Sequence, residues 1–139
     1  MAAALVAAAV LVGGCSAGTV SSTSGPTAAA VPAAGSSLSP ADFAAAAKLP
    51  NTVLLDVRTP SEFAAGHLAG AVNLDVQSSA FAQAAGSLDR TTNYAIYCHS
   101  GNRSKVAMTA LEQLGIPHLF DLAGGISAWQ AAGGQVVTG

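Results

Sequence analysis

The chain has 139 residues, enough for one domain around a single modest core and short for two. Charged residues make up 9% of it, the formal net charge is −2, and five Lys and Arg cannot supply the clustered basic surface that nucleic-acid binding needs. No charge occurs before Asp42, which sets the N-terminal stretch apart from the rest.

Residues Ala2 to Val12 form an apolar run too brief to span a bilayer and about the length of a signal-peptide core. It ends at Val12-Gly13-Gly14-Cys15, which resembles the lipobox of bacterial lipoproteins, where cleavage leaves the cysteine as a lipid-bearing N-terminus. Residues 1–15 are therefore expected to be a signal peptide with cleavage before Cys15, and the protein to be exported and anchored to the membrane by lipid there. Such a peptide ordinarily opens with Lys or Arg; Met1-Ala2-Ala3-Ala4 has neither, so a true start upstream of Met1 stays open. From Ser16 to Ser37 the chain is Ser, Thr, Gly, Ala and Pro with two valines, a composition that reads as a flexible tether. The folded unit is expected from Leu38 to Gly139.

Ser39-Pro40-Ala41-Asp42 has the form of a helix start, with Ser39 as N-cap and Pro40 at the first helical position. Phe43 to Lys48 continues it. Thr52 to Arg58 is a largely apolar run of strand length, as expected for a strand covered on both faces in a parallel sheet. Pro60 to Ala65 is a short helix closed by Gly66, Ala71 to Leu74 a second strand, and Ser79 to Ala85 a further helix. Tyr94 to Tyr97 is the next strand. From Ser104 to Leu114 helical spacing puts Val106, Ala107, Ala110, Leu111 and Leu114 on one face, and Gly115 ends the helix. His118 to Leu122 reads as a strand, Gly124-Gly125 as a turn, and Ile126 to Ala132 as a last helix with Trp129 in the core. Alternating short strands and helices indicate an α/β domain with a mostly parallel central sheet, whose ligands bind beyond the carboxyl ends of the strands.

Cys98 sits at such an end, in Tyr97-Cys98-His99-Ser100-Gly101-Asn102-Arg103-Ser104. A cysteine nucleophile needs thiolate character, which a helix N-terminus and a neighbouring arginine favour. Gly101 permits a tight loop, and the backbone N–H groups of residues 99 to 103 are placed to ring a bound sulfur or oxyanion. Cys15 and Cys98 share no context, there is no Cys-x-x-Cys, and His67, His99 and His118 make no pair at helical spacing, so a free thiol is expected and a metal is not.

Four blocks in order carry a family likeness: Leu54-Leu55-Asp56-Val57-Arg58-Thr59-Pro60-Ser61-Glu62-Phe63, Gly66-His67-Leu68-Ala69-Gly70-Ala71-Val72-Asn73, Cys98 to Ser104, and Leu122-Ala123-Gly124-Gly125-Ile126-Ser127-Ala128-Trp129. Together they resemble the single-domain rhodanese family and cover nearly everything from Leu38 to Gly133. The resemblance implies a three-layer α/β fold and a sulfurtransferase that needs no cofactor. Cys98 would take a sulfane sulfur from thiosulfate or a similar small anion, become a persulfide, and pass the sulfur to cyanide or a thiol.

On that reading Arg103 recognises a dianionic donor and supports the thiolate. Asp56 and Arg58, at the end of the neighbouring strand, hold the active loop. His99 lies at the rim rather than acting as general base, because adjacent residues usually point apart. Ser100 and Ser104 either bond the anion or cap the helix, Asn102 contributes chiefly its backbone, and His67 bonds within a turn. Phosphatases and arsenate reductases on this fold carry one more residue between Cys and Arg than the four found here, His99 to Asn102, so the shorter cradle favours sulfur. The nearer alternative is a sulfur carrier or partner-docking module without turnover.

Overall fold

The computed structural model describes residues 20–139; Cys15 and the apolar run before it lie outside the described residues. Strands β1 (Ser36–Leu38), β2 (Thr52–Asp56), β3 (Val72–Asn73), β4 (Asn93–Tyr97) and β5 (Leu119–Leu122) form one sheet in the order β1-β5-β4-β2-β3. Every pairing is parallel. Helices α1 (Pro40–Ala47), α2 (Pro60–Ala65), α3 (Phe81–Gly86), α4 (Asn102–Gln113) and α5 (Gly125–Ala131) alternate with the strands. A parallel pair needs a crossover, and the helices supply the crossovers while covering the sheet.

β4 is the central strand, and all five of its residues are buried. Its side chains alternate between two cores, as a period of two requires. Ala95 and Tyr97 pack with Phe43, Phe120, Ile126 and Trp129 on the α1/α5 side. Tyr94, Ile96 and then Cys98 pack with Phe81, Met108 and Leu111 on the α3/α4 side. The result is three layers. Because the strands are parallel, Asp56, Tyr97 and Leu122 end at one edge, with Asp56 opposite Tyr97 and Asp121 opposite Ile96.

Local sequence explains the helix starts. Ser39 Oγ accepts from the Asp42 N–H at 3.2 Å and Pro40 follows at the first helical position. At α2, Thr59 Oγ1 accepts from the Glu62 N–H while Glu62 Oε2 accepts from the Thr59 N–H, a complete capping box. Trp129 is fully buried, with its Nε1–H donating to the Gln135 carbonyl at 3.0 Å.

Two expectations are corrected. The stripe buried by α4 is Ser104, Ala107, Met108 and Leu111, whereas Val106 is 62% exposed. The helix is rotated because Ser104 turns inward at the Cys98 loop, which carries Met108 to the core and Val106 to solvent. The domain also begins before Leu38, since Ser36 and Ser37 are strand residues and residues 20–35 lie against the domain. Val20 is buried in the α1/α5 core, Lys48 Nζ donates to the Ser21 carbonyl, Ser22 Oγ to the Ala69 carbonyl, and the Ala28 N–H to the Ala45 carbonyl. Hydrogen bonds to the domain hold a stretch too poor in large apolar side chains to announce itself by hydropathy. No described helix is long and apolar enough to cross a membrane.

Candidate active site

β4 ends in the loop Cys98–Gly101, from which α4 departs. Gly101 is the N-cap of α4 with φ 101°, a left-handed conformation that suits glycine. That turn points the Gly101 N–H at Cys98 Sγ, 3.1 Å away. It donates to the sulfur of the nucleophile itself, whereas the expected ring of donors surrounds a bound sulfur or oxyanion. Cys98 is a free thiol and 1% exposed.

Ser104 is fully buried behind the sulfur, in the first turn of α4. Its Oγ lies 3.6 Å from Cys98 Sγ, 3.1 Å from the Gly101 carbonyl and 2.7 Å from Asp121 Oδ2. Asp121, on β5, has no exposed surface; Ser37 Oγ also donates to it, and Lys105 Nζ lies 3.5 Å from Oδ2. A buried carboxylate needs such donors. It ties β1, β5 and the first turn of α4 together directly behind the nucleophile. The sequence reading passed over Asp121, and its only signal was a lone acid within an otherwise apolar strand.

The loop is held from the other side by α5. The Ile126 N–H donates to the Cys98 carbonyl at 2.8 Å and the Ser127 N–H to the His99 carbonyl at 3.2 Å, so unpaired donors of the first turn of α5 fix the loop. Gly125 makes that approach possible. A Cβ there would lie 2.5 Å from the Cys98 and His99 carbonyl oxygens.

Asp56 and Arg58 do not grip this loop, which corrects the expectation. They form a buried ion pair, Nη2 to Oδ2 at 2.5 Å, and Arg58 Nη2 donates to the Gly66 carbonyl at 2.7 Å. Asn73 Nδ2 donates to the carbonyls of both residues. The pair thus fixes the segment after α2, and β2 itself reaches the nucleophile's strand through the Val57 N–H to the Tyr97 carbonyl. Burial opposes the charge on Arg58, but the hydrogen bond and charge of Asp56 outweigh it and raise the guanidinium above its ordinary range. Arg58 also lies over the Tyr97 ring, 5.6 Å from its centroid, and burial pushes the Tyr97 phenol upward.

Arg103 reaches across to α2. Its Nη1 and Nη2 donate to Glu62 Oε2 and Oε1, both at 2.8 Å, and Nη1 lies 3.4 Å from Gln77 Oε1. This fork, with the Thr59 hydrogen bonds, holds the Glu62 carboxyl at about 2 although partial burial opposes it. Glu62 in turn raises Arg103. In the sequence Glu62 is only a member of the short helix Pro60 to Ala65; the structure makes it both the capping residue of α2 and the partner of Arg103. His99 is exposed, with Nε2 3.3 Å from Ser127 Oγ, at the rim as expected. Ser100 and Asn102 are also exposed. His67 is a turn residue, its Nδ1 2.8 Å from the Phe63 carbonyl and its ring stacked on Phe63. A cleft of about 330 Å³ runs beside the loop, lined by Arg58, Glu62, Ala65, His99, Ile126 and Val136 among others.

The arrangement supplies a sulfur nucleophile, a backbone donor aimed at it and a rigid frame, which suits attack by Cys98 on a small electrophile. Comparison with known proteins agrees in fold and in sequence. The model of the rhodanese-like domain matches residues 39–132. The chain is 36% identical to thiosulfate sulfurtransferase GlpE of Pseudomonas putida, covering 60% of this chain and 74% of that one. It is 35% identical to thiosulfate sulfurtransferase 16, chloroplastic, of Arabidopsis thaliana, covering 57% and 74%. Among solved structures, a rhodanese-related protein of Thermoplasma volcanium superposes with a TM-score of 0.65 at 35% identity, over 73% of this chain and 97% of that one. With the domain model matching residues 39–132 and these relatives beside it, the chain belongs to the rhodanese-like family.

Proposed function

We propose that the protein is a sulfurtransferase that moves a sulfane sulfur from thiosulfate or a similar donor to cyanide or a thiol through a persulfide on Cys98. The observation that carries this reading is the Gly101 N–H at 3.1 Å from Cys98 Sγ, in a loop braced by α5 on one side and Ser104 on the other. In the first half-reaction the Cys98 thiolate attacks the outer sulfur of thiosulfate, the S–S bond breaks, and sulfite leaves with the electron pair. In the second, the acceptor attacks the outer sulfur of the persulfide and the Cys98 thiolate is restored. Charge and atoms balance in both halves, with no external oxidant.

The relatives named thiosulfate sulfurtransferase support this assignment. The four-residue interval between Cys98 and Arg103 supports it over phosphoryl chemistry. The test is thiocyanate formation from thiosulfate and cyanide by freshly reduced protein. Activity that disappears in Cys98→Ser, with the fold retained, supports the assignment; no thiocyanate and no persulfide refutes it. A persulfide without turnover identifies a carrier instead. Lipid attachment at Cys15 and action outside the cytoplasm belong to the same proposal, on the strength of Val12-Gly13-Gly14-Cys15.

A further inference from the structure

Asp121 is a buried charge to which the sulfur transfer proposed above gives no part. Its register opposite Ile96 sets it on the α3/α4 face of the sheet, the face that Ile96 and Cys98 share. It has no exposed surface, and neither has Ser104, which stands between it and the nucleophile. Ser37 Oγ of β1 donates to Oδ1, Ser104 Oγ of α4 donates to Oδ2 at 2.7 Å, and Lys105 Nζ lies 3.5 Å from Oδ2. Three donors converging on one buried carboxyl mark its ionised form. The Lys105 side chain is 58% exposed, so solvent screens its charge.

The directions of the hydrogen bonds follow from the protons present. A carboxylate only accepts, and a serine hydroxyl has one proton to give. The bond to Asp121 is the short, charge-assisted one, whereas the Gly101 carbonyl is 3.1 Å away. Ser104 Oγ therefore turns lone pairs toward Cys98 Sγ, 3.6 Å away, and accepts from the thiol. A thiolate in the same place would face an oxygen with no proton to offer and an ionised carboxylate behind it. Both features favour the thiol. The Gly101 N–H, 3.1 Å from Sγ, opposes them. The other charged and titratable groups around the loop are paired or turned away: Arg103 is held by Glu62 of α2, Asp56 and Arg58 pair on the Tyr97 face of the sheet, and His99 is exposed beside Ser127 of α5.

We infer that Asp121 is a positioning residue: by accepting the Ser104 hydroxyl's hydrogen bond, it makes Ser104 an acceptor for the Cys98 thiol and holds the resting nucleophile in its protonated form. The thiolate forms when the proton passes to a base in solvent, and the Gly101 N–H then stabilises it. Reactivity at rest is exchanged for resistance to oxidation, because oxidants attack the thiolate. The inference deepens the reading of Cys98 as the nucleophile, and its test uses no sulfur donor.

The experiment follows alkylation of Cys98 by iodoacetamide in the reduced full chain across a pH series, with the modified residue identified by peptide mass. Wild type, Asp121→Asn and Ser104→Ala are compared. The thiolate forms the S–C bond and iodide leaves with the electron pair, so the rate follows the thiolate fraction. Asparagine keeps the shape and removes the charge, and its amide can donate to Ser104 Oγ, which frees the hydroxyl proton for the sulfur. Alkylation at neutral pH is expected to rise about tenfold in Asp121→Asn, with the rising limb of the profile moved to lower pH and the plateau at high pH unchanged. Oxidation of Cys98 by hydrogen peroxide at neutral pH should rise in step. Ser104→Ala removes the acceptor and should move the limb the same way by a smaller amount; it serves if Asp121→Asn does not fold. A structural role alone would alter the plateau or the stability and leave the limb in place. A neutral rate within about twofold of wild type, with the limb unmoved, in either folded variant overturns the inference whether or not thiosulfate loads the protein. Failure of every sulfane donor to load wild type overturns sulfur transfer instead, and leaves the alkylation result to decide this inference.

Discussion

Replacing Gly125 by alanine tests whether the Cys98 loop is braced by α5. Gly125 has φ 62°, and a Cβ there would sit 2.5 Å from the Cys98 carbonyl oxygen and from the His99 carbonyl carbon and oxygen. All three are backbone atoms, so no side chain can rotate out of the way. The left-handed conformation alone costs an alanine about 1 kcal/mol. Relief of the clash requires α5 and the loop to separate, which weakens the Ile126–Cys98 and Ser127–His99 hydrogen bonds, worth about 0.5–1.5 kcal/mol each. The expected loss is about 2–4 kcal/mol, or about 10–20 °C in Tm for a domain of this size. Gly133→Ala is the internal control: its φ is 81°, yet nothing lies within 4 Å of its Cβ position, so only the conformational term of about 1 kcal/mol applies. Urea unfolding of both variants gives the two values. Gly125→Ala should also slow persulfide loading, because the loop that carries Cys98 must move. If the two variants lose stability equally, within about 0.5 kcal/mol, the brace does not exist as described.

Ser104→Ala deprives the buried Asp121 of a donor at 2.7 Å and should cost about 1.5–3 kcal/mol by urea unfolding; adding Asp121→Asn, which removes the buried charge, should recover part of that loss. The Glu62 carboxyl is lowered from 4.5 to about 2 in the fold, so its stabilising contribution is complete above about pH 4.5 and is lost as pH falls toward 2. Because Glu62 is a third exposed, that contribution should be of order 1 kcal/mol or less, and Glu62→Gln should flatten the stability profile over that window. Mature protein from its native cell should begin at a lipid-bearing Cys15, and a mass that includes residues before Cys15 would refute the export reading.

The parts of the fold read from sequence are those with a dense local signal. The helix start at Ser39 carries its own cap, and β2 and β4 are dense in apolar residues. β1 escaped because three residues, two of them serines, have no pattern apart from the partner β5 that gives them strand geometry. The rotation of α4 escaped for a related reason. Val106 and Met108 are both acceptable to a helical apolar stripe, and only the tertiary pull on Ser104 decides between them. At the site, Cys98, Gly101 and Arg103 stood out because the chemistry of a thiolate loop demands those residue types. Glu62 and Asp121 did not, since a carboxylate's meaning lies in what the fold brings to it. Here those partners are 41 and 17 residues away in sequence.

The central claim is that Cys98 accepts a sulfane sulfur. Intact-mass analysis of the reduced full chain after exposure to a sulfane donor tests it most directly. The expected result is a gain of one sulfur atom, mapped to Cys98, absent in Cys98→Ser, and discharged by cyanide with release of thiocyanate. An unchanged mass in a folded, fully reduced protein would contradict it.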